Sequence, residues 1–469
     1  MQPLDYGRLY HCKEESTGCT GQFSITDSAI KIKLFDYNEF FHVKSGVVYH
    51  ARLEDSRTVS LYDTRAGGTG TSSVLGETPI TTHFAEISSD TVILGYRPWQ
   101  PTDPIRRVWF RINKSKDLLR NNPAVRRFAT QASAMRPRDS TLFELTCRNM
   151  IVRCWYGGSA SFEIGLTEWW PVCELEFSEP REIGNYLDNV HRILRFFSAA
   201  AGFQLTPSEI CISRFARDEV DQRLEQGERD DQHLVQYLWR QPSVRERDLH
   251  PMNSFVSAGD SREIRTMVAC LGAWLDRPAA WDEASTLMMG SLGLHDQLSG
   301  DRLLMSCRWL DKIPGTPAEP ALNDDDAGKI AEAAIHEARI RDHGGLEGRI
   351  VSALRYLRYE SNRDRFARLI RKVNRRFPDS PLDEGAVAHL LRAQELRGTV
   401  AHGLFEVDKG NALELQCALT SMECLAYLLM IEGLPLSRAG RGRATSSRLV
   451  RDYRHAKWAC GVRTTGNDR

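Results

Sequence analysis

Within Glu395-Leu396-Arg397-Gly398-Thr399-Val400-Ala401-His402-Gly403-Leu404-Phe405, an arginine and a histidine stand separated by four residues. Together they could cut RNA. A histidine can take the proton of a 2′-hydroxyl or give one to a departing 5′-oxygen, because its side chain titrates near neutrality. An arginine can neutralise the charge that builds on phosphoryl oxygens. RNA carries its own nucleophile, so this chemistry needs no metal. Arg397 and His402 are therefore the candidate catalytic pair. Five steps turn an ideal helix by about 140°, so the two would not share a face in mid-helix. They converge only if the helix ends between them, which Gly403 allows, or if a site combines two chains. The plain alternative is an exposed salt-bridge arginine and a capping histidine.

Other motifs fall away. Arg245 and His250 repeat the spacing, but Pro251 follows and disfavours helix. His336-Glu337 begins like a zinc-protease motif, yet Ile340 stands where the second histidine belongs. Gly67-Gly68-Thr69-Gly70-Thr71-Ser72 has no Gly-Lys-Ser/Thr after it and reads as a loop among strands. The 11 cysteines include no Cys-x-x-Cys, and three pairs are seven apart: Cys12 and Cys19, Cys147 and Cys154, Cys417 and Cys424. Two helical turns on one buried face suit that spacing, so free thiols are expected. A zinc site near His11, Cys12 and Cys19, and disulfides, are the alternatives. No metal or cofactor is assigned.

Formal net charge is zero, so bulk charge points to no partner, but the charge is uneven. From Arg339 to Arg376 there are 12 basic residues against 4 acidic, and from Ser437 to Arg469 there are 9 against 2. Arg368, Arg371 and Arg375 are candidate RNA-phosphate ligands, with Tyr356, Tyr359 and Phe366 available to stack on bases or to pack in the core. The N-terminus has no apolar core of a signal peptide. The most apolar segment, 415–434, holds Glu423 and Glu432, and its unbroken apolar run is only Leu425–Ile431. A membrane span needs about 18 apolar residues, so a cytoplasmic protein without a membrane segment is expected.

These residues require two kinds of scaffold. Period-two alternation at Ile30–Leu34 and Phe162–Leu166 predicts strands. So do short β-rich runs at Val47–Leu53, Thr58–Tyr62, Thr91–Tyr96, Val108–Ile112, Leu142–Cys147, Ile151–Tyr156, Cys173–Phe177 and Glu209–Phe215. Their number suggests a sandwich or barrel. Ile183, Leu187, Val190, Leu194 and Phe197 make one helical stripe. Helices are then predicted over Asp218–Leu238, Ser261–Leu275, Ala280–Leu294, Gly300–Ile313, Asn323–His343, Leu346–Tyr359, Asn362–Phe377, Ser380–His402 and Asn411–Gly433. The expected class is α+β multidomain. A β-rich, sandwich-like domain over 1–217 precedes a helical linker region, 218–260. An all-α domain over 261–435 and a basic, flexible tail over 436–469 complete it.

An R-x4-H motif between the last two helices of a C-terminal α-domain resembles the HEPN superfamily, with Arg302–Leu310 similar to its first core helix. Val47–Leu61, Phe84–Gly95 and Val108–Ile112 resemble the β-rich N-terminal domain of ApeA-type bacterial anti-phage proteins, which carry a C-terminal HEPN domain. The resemblance implies a metal-independent endoribonuclease that is a homodimer with its site at the dimer interface. It implies RNA as substrate, a role in abortive infection, and a phage-derived trigger sensed by the N-terminal domain. The family often carries a polar residue after the arginine, where this chain has Gly398. A non-catalytic HEPN module that binds RNA or protein through its basic helices is the alternative.

Overall fold

The computed structural model describes residues 8–26, 30–36, 43–74, 80–113, 115–131, 141–161, 165–227, 235–239, 253–341, 343–402 and 411–466. Arg245, His250, Phe162–Ile164 and Gly403 lie outside them, as does the side chain of Tyr356. The chain divides into two units. One holds Met1–Leu194, Leu205–Asp248 and Ala258–Ile264, and the other Arg195–Gln204, Leu249–Ser257 and Arg265–Arg469.

The first unit is built on strands β1 (Leu9–Glu14), β2 (Thr20–Ile25), β3 (Ile30–Asp36), β4 (Tyr49–Leu53), β5 (Thr58–Tyr62), β6 (Arg65–Val74) and β7 (Ile80–Ser89). These are followed by β8 (Thr91–Gly95), β9 (Ile105–Ile112), β10 (Thr141–Cys147), β11 (Met150–Ser161), β12 (Gly165–Arg181), β13 (Pro207–Ser213) and β14 (Val235–Trp239). The short helices α1 (Ser115–Leu118) and α2 (Asn122–Gln131) sit in the β9–β10 connection. Helix α3 (Ile183–Ala201) follows β12, and α4 (Arg217–Glu225) follows β13. Among the described residues the 14 strands form one hydrogen-bonded sheet, in the order β10-β11-β12-β9-β13-β14-β8-β5-β4-β1-β2-β3-β7-β6. Every pairing in it is antiparallel.

Alternation drives the pairing. In β1, Tyr10, Cys12 and Glu14 point inward while Leu9, His11 and Lys13 face out, as period-two geometry requires. Tyr10, Phe23, Ile32, Leu34, Leu61 and Leu94 join one buried cluster with their neighbours. The glycine-rich run is not a loop. Gly67 and Gly68 lie at a register shift in β6, and a Cβ on Gly70 would come within 2.5 Å of the Phe84 ring. Glycine there lets β6 lie against that ring.

The second unit is helical: α5 (Ser261–Leu275), α6 (Asp282–Gly293), α7 (Gly300–Lys312), α8 (Asp324–Ile340), α9 (Glu347–Leu357), α10 (Asn362–Arg376), α11 (Glu384–Ala401), α12 (Ala412–Glu432), α13 (Arg438–Thr445) and α14 (Arg448–Gly466). Helix α12 is buried continuously from Cys417 to Ile431, in contact with α7, α10, α11 and α14. Among the described residues it is the one helix long and apolar enough to cross a membrane, and 89% of that apolar window is buried inside the protein. Its Glu423 is 1% exposed. Asn323 caps α8, its side chain accepting from Asp326 N–H. Asp383 caps α11 by accepting from Ala386 N–H, so the helix starts later than the Ser380 predicted from the sequence.

Two domain expectations need correction. Region 218–260 is not a helical linker: α4 ends at Glu225, and β14 pairs with both β13 and β8. The charged residues before β14 masked a short aromatic strand. The basic end is not a loose tail either. Leu449, Val450, Tyr453 and Ala456 of α14 are buried. This spacing puts one apolar stripe against α12 beneath a charged face.

Candidate active site on helix α11

Helix α11 is placed by its neighbours. Ala386, Leu390, Ala393 and Leu396 are buried along one face. A Cβ on Gly300, at the start of α7, would come within 2.7 Å of Val400 Cγ1, so this glycine sets how closely α7 approaches the end of α11. Arg397 then meets Asp311 near the other end of α7. Its Nη1 donates to Asp311 Oδ2 at 2.6 Å, while Arg365 Nη2 donates to Oδ1 of the same carboxylate at 2.8 Å. Arg365 is further fixed by its Nε on the Thr316 carbonyl at 2.7 Å.

The grip on Arg397 is partial. Its side chain is 35% exposed. Among the described residues its Nε and Nη2 make no hydrogen bond. Three of its five N–H donors, those on Nε and Nη2, are thus left for a phosphoryl oxygen, since Nη1 donates to Asp311 and, at 3.5 Å, to Gln394 Oε1. Cys307, one turn before Asp311, is no rival nucleophile: burial pushes its thiol up to about 12, far from the thiolate form.

His402 is exposed and caps the end of α11, with φ −93° and ψ 6°. Its backbone N–H donates to the Gly398 carbonyl at 3.2 Å. The helix therefore does not end between Arg397 and His402. Both ride one continuous helix, about 140° apart around its axis, and no hydrogen bond joins them among the described residues. Within one chain the pair is not brought together, and what is observed is the plain alternative: an arginine in a salt bridge with Asp311 and a histidine at the helix cap. Gly398 has nothing within 4 Å of a Cβ position, so a polar side chain would fit there without collision.

The candidate phosphate ligands divide. Arg368 is engaged with Glu360, at 2.5 Å, and Glu319, at 3.0 Å, and Nη2 also reaches the Pro317 carbonyl. The hydrogen bond from Arg368 holds the Glu360 carboxyl below the usual range, against burial, which would raise it. Arg371 and Arg375 are exposed and have no carboxylate partner among the described residues. Phe366 is fully buried, hence core, whereas Tyr359 is 45% exposed.

The cysteines depart from expectation at one pair. Cys417 and Cys460 form a disulfide between α12 and α14, while Cys12, Cys19, Cys147, Cys154, Cys173, Cys211, Cys270, Cys307 and Cys424 are free. Two of the seven-residue pairs lie at strands rather than on a helix, and only Cys417 and Cys424 share one. His389, Cys417 and Cys460 bring one ligand atom each within 4.8 Å of one another, the one such group among the described residues. Both sulfurs are bonded to each other there. His11 and Cys12 point to opposite faces of β1 and cannot grip one zinc ion together.

Sequence reasoning missed a buried ionic cluster beside α12. Glu423 accepts from Arg302 Nε at 2.8 Å, Arg302 Nη2 at 2.7 Å and Ser291 Oγ at 2.9 Å. His295 Nδ1 stands 2.8 Å from Arg302 Nη2, and its Nε2 stands 2.9 Å from Asp452 Oδ2. Arg302 can only donate, so Nδ1 accepts and the proton sits on Nε2, facing Asp452. A charge in an apolar run was the available signal. No protein-family model, curated protein or solved structure matches this chain.

Proposed function

We propose that this protein is a metal-independent endoribonuclease of the HEPN type. His402 takes the proton of the RNA 2′-hydroxyl as that oxygen attacks the adjacent phosphorus. Arg397, with free donors beyond its bond to Asp311, neutralises the charge on the phosphoryl oxygens. The 5′-oxygen leaves with a proton from a histidine, so the products carry 2′,3′-cyclic phosphate and 5′-hydroxyl ends. The observation that carries the reading is the half-held Arg397 on the same helix as an exposed His402. Their angular separation favours a homodimer in which each site draws on both copies. The resemblance adds a cytoplasmic setting, an abortive-infection role, and an N-terminal unit that responds to a phage-derived trigger.

A specific observation favours a second reading. Arg371 and Arg375 stand exposed without acidic partners among the described residues, which suits a non-catalytic module that binds RNA or protein. The test is induction of wild type, Arg397→Ala and His402→Ala in infected cells, with total RNA resolved and fragment ends identified. The nuclease reading expects discrete fragments with wild type only, from three stably expressed proteins. Equal protection by all three, or no cutting by any, transfers the function to the binding module.

A further inference from the structure

Helix α10 treats its basic residues in two ways. Arg365, Arg368 and Lys372 each face carboxylates: Asp311, the pair Glu360 and Glu319, and Glu432. The two arginines that end the helix do not. Arg375 and Arg376 enter a cleft of about 590 Å³ with Phe377, Pro378 and Asp379, closed on the other side by Arg438, Arg441, Gly442 and Thr445 of α13. Four arginines thus share the cleft with one carboxylate.

Carbonyls hold three of these guanidinium groups without neutralising them. Arg376 Nη2 donates to Leu434 O at 2.9 Å and Arg441 Nη1 to Leu436 O at 3.3 Å, while Arg375 Nε makes a long contact of 3.4 Å to Arg371 O. Arg376 Nε is buried and has no hydrogen-bond partner among the described residues. Arg438 makes none with its side chain among them either. Like charges gathered in a cleft repel one another, and a multivalent anion converts that repulsion into attraction. Guanidinium forks match the oxygens of phosphate groups best. The volume lies within the ordinary range for small-ligand sites, about 300–1,000 Å³. The ring of Phe377 is fully buried and offers no face for a base to stack on. The lining therefore reads phosphates, not a nucleobase.

We infer that the cleft between the end of α10 and α13 is a binding site for an anion carrying two or more linked phosphate groups. It takes up Arg375 from the RNA reading but does not depend on that reading. Arg375 lies ten residues beyond Arg365, or about 15 Å along α10, so the cleft is separate from the Asp311–Arg397 pair. Two sources supply this chemistry: the polyphosphate tail of a free nucleotide and consecutive phosphates of an RNA strand.

Calorimetric titration of the full-length protein with inorganic tripolyphosphate, at about 0.15 M ionic strength, tests the site. Saturable binding is expected. Arg375→Gln with Arg438→Gln should weaken it at least tenfold, and Arg451→Gln, on the exposed face of α14, should not. Gly442→Asp places a carboxylate in the cleft where a Cβ meets nothing within 4 Å, and should abolish binding even if the double variant folds poorly. His402→Ala should bind as wild type does, so loss of the nuclease reading leaves this one standing. Displacement of tripolyphosphate by a nucleoside triphosphate alone assigns the site to free nucleotides. Displacement by an RNA oligomer with 5′-hydroxyl ends assigns it to the strand. Absence of saturable binding, or equal binding by wild type and Gly442→Asp, overturns the inference.

Discussion

Asp311 governs what Arg397 can do, because one carboxylate serves two arginines. Arg365 is the deeper of them, its side chain 9% exposed against 35% for Arg397. Asp311→Asn strips the charge that offsets a buried guanidinium and should cost about 1–3 kcal/mol in urea unfolding. Arg397→Ala leaves Arg365 with its partner and should cost less than about 1 kcal/mol, as for other partly exposed pairs. Such a contrast, once measured, would mark Arg397 as a residue kept for something other than stability, and equal losses would make it a structural strut. Gly398 offers a second test. Gly398→Ala should stabilise α11 by about 0.5–1 kcal/mol, since glycine in mid-helix is entropically costly. If Gly398→Asn raises RNA cleavage, the position orients the phosphate. Spacing and chemistry singled out Arg397 and His402, and the fold sets them on one helix without a hydrogen bond between them among the described residues. Asp311 was not legible, because nothing in a linear sequence announces a carboxylate 86 positions away. For the same reason Arg368 looked like a free cation, its Glu360 and Glu319 being brought to it only by the fold.

Helix α12 sets the stability of its unit. Burial alone would raise the Glu423 carboxyl, yet the Arg302 guanidinium and the Ser291 hydroxyl keep it below the usual range. A depressed carboxyl adds stability above its unfolded value, about pH 4.3, and that stability is lost as pH falls through the folded value. Arg302→Met strands the charge and should cost about 3–5 kcal/mol, whereas Arg302→Met with Glu423→Met should recover most of it. His389, between α11 and α14, works in a higher window. Burial first, and Lys457 second, hold its imidazole below the ordinary range, with Asp383 opposing. Such a histidine stabilises the fold fully above about pH 6.5 and progressively less as pH falls below it. A melting series from pH 7.5 to 5 should therefore slope downward, more gently in His389→Gln. Removal of 437–469 should unfold the helical unit, given the buried stripe of α14; an unchanged melting curve would restore the loose tail. Strand β5 was legible to the residue as a short β-rich run, Thr58–Tyr62, whose five residues are all buried. The helix of the tail was hidden by Gly, Ser and Thr, residues that only packing against α12 makes helical.

For the whole molecule, the 140° separation makes a prediction about subunits. If each site takes its arginine from one copy and its histidine from the other, inactive Arg397→Ala and His402→Ala chains should rescue each other when mixed. Random pairing gives half heterodimers with one intact site of two, so about a quarter of wild-type cleavage is expected. No rescue at any ratio would return both residues to a single chain. Strand β14 carries a different kind of consequence. It alone joins β13 to β8 in the sheet, and so unites the strands β9 to β13 with the strands β1 to β8. A ribosome releases those two blocks well before Val235 appears. Until then each presents an unpaired edge, the sort of surface that recruits stray strands. The order of synthesis thus gives the nascent chain an interval of vulnerability that five residues close, and a pause in translation shortly before Val235 would lengthen it.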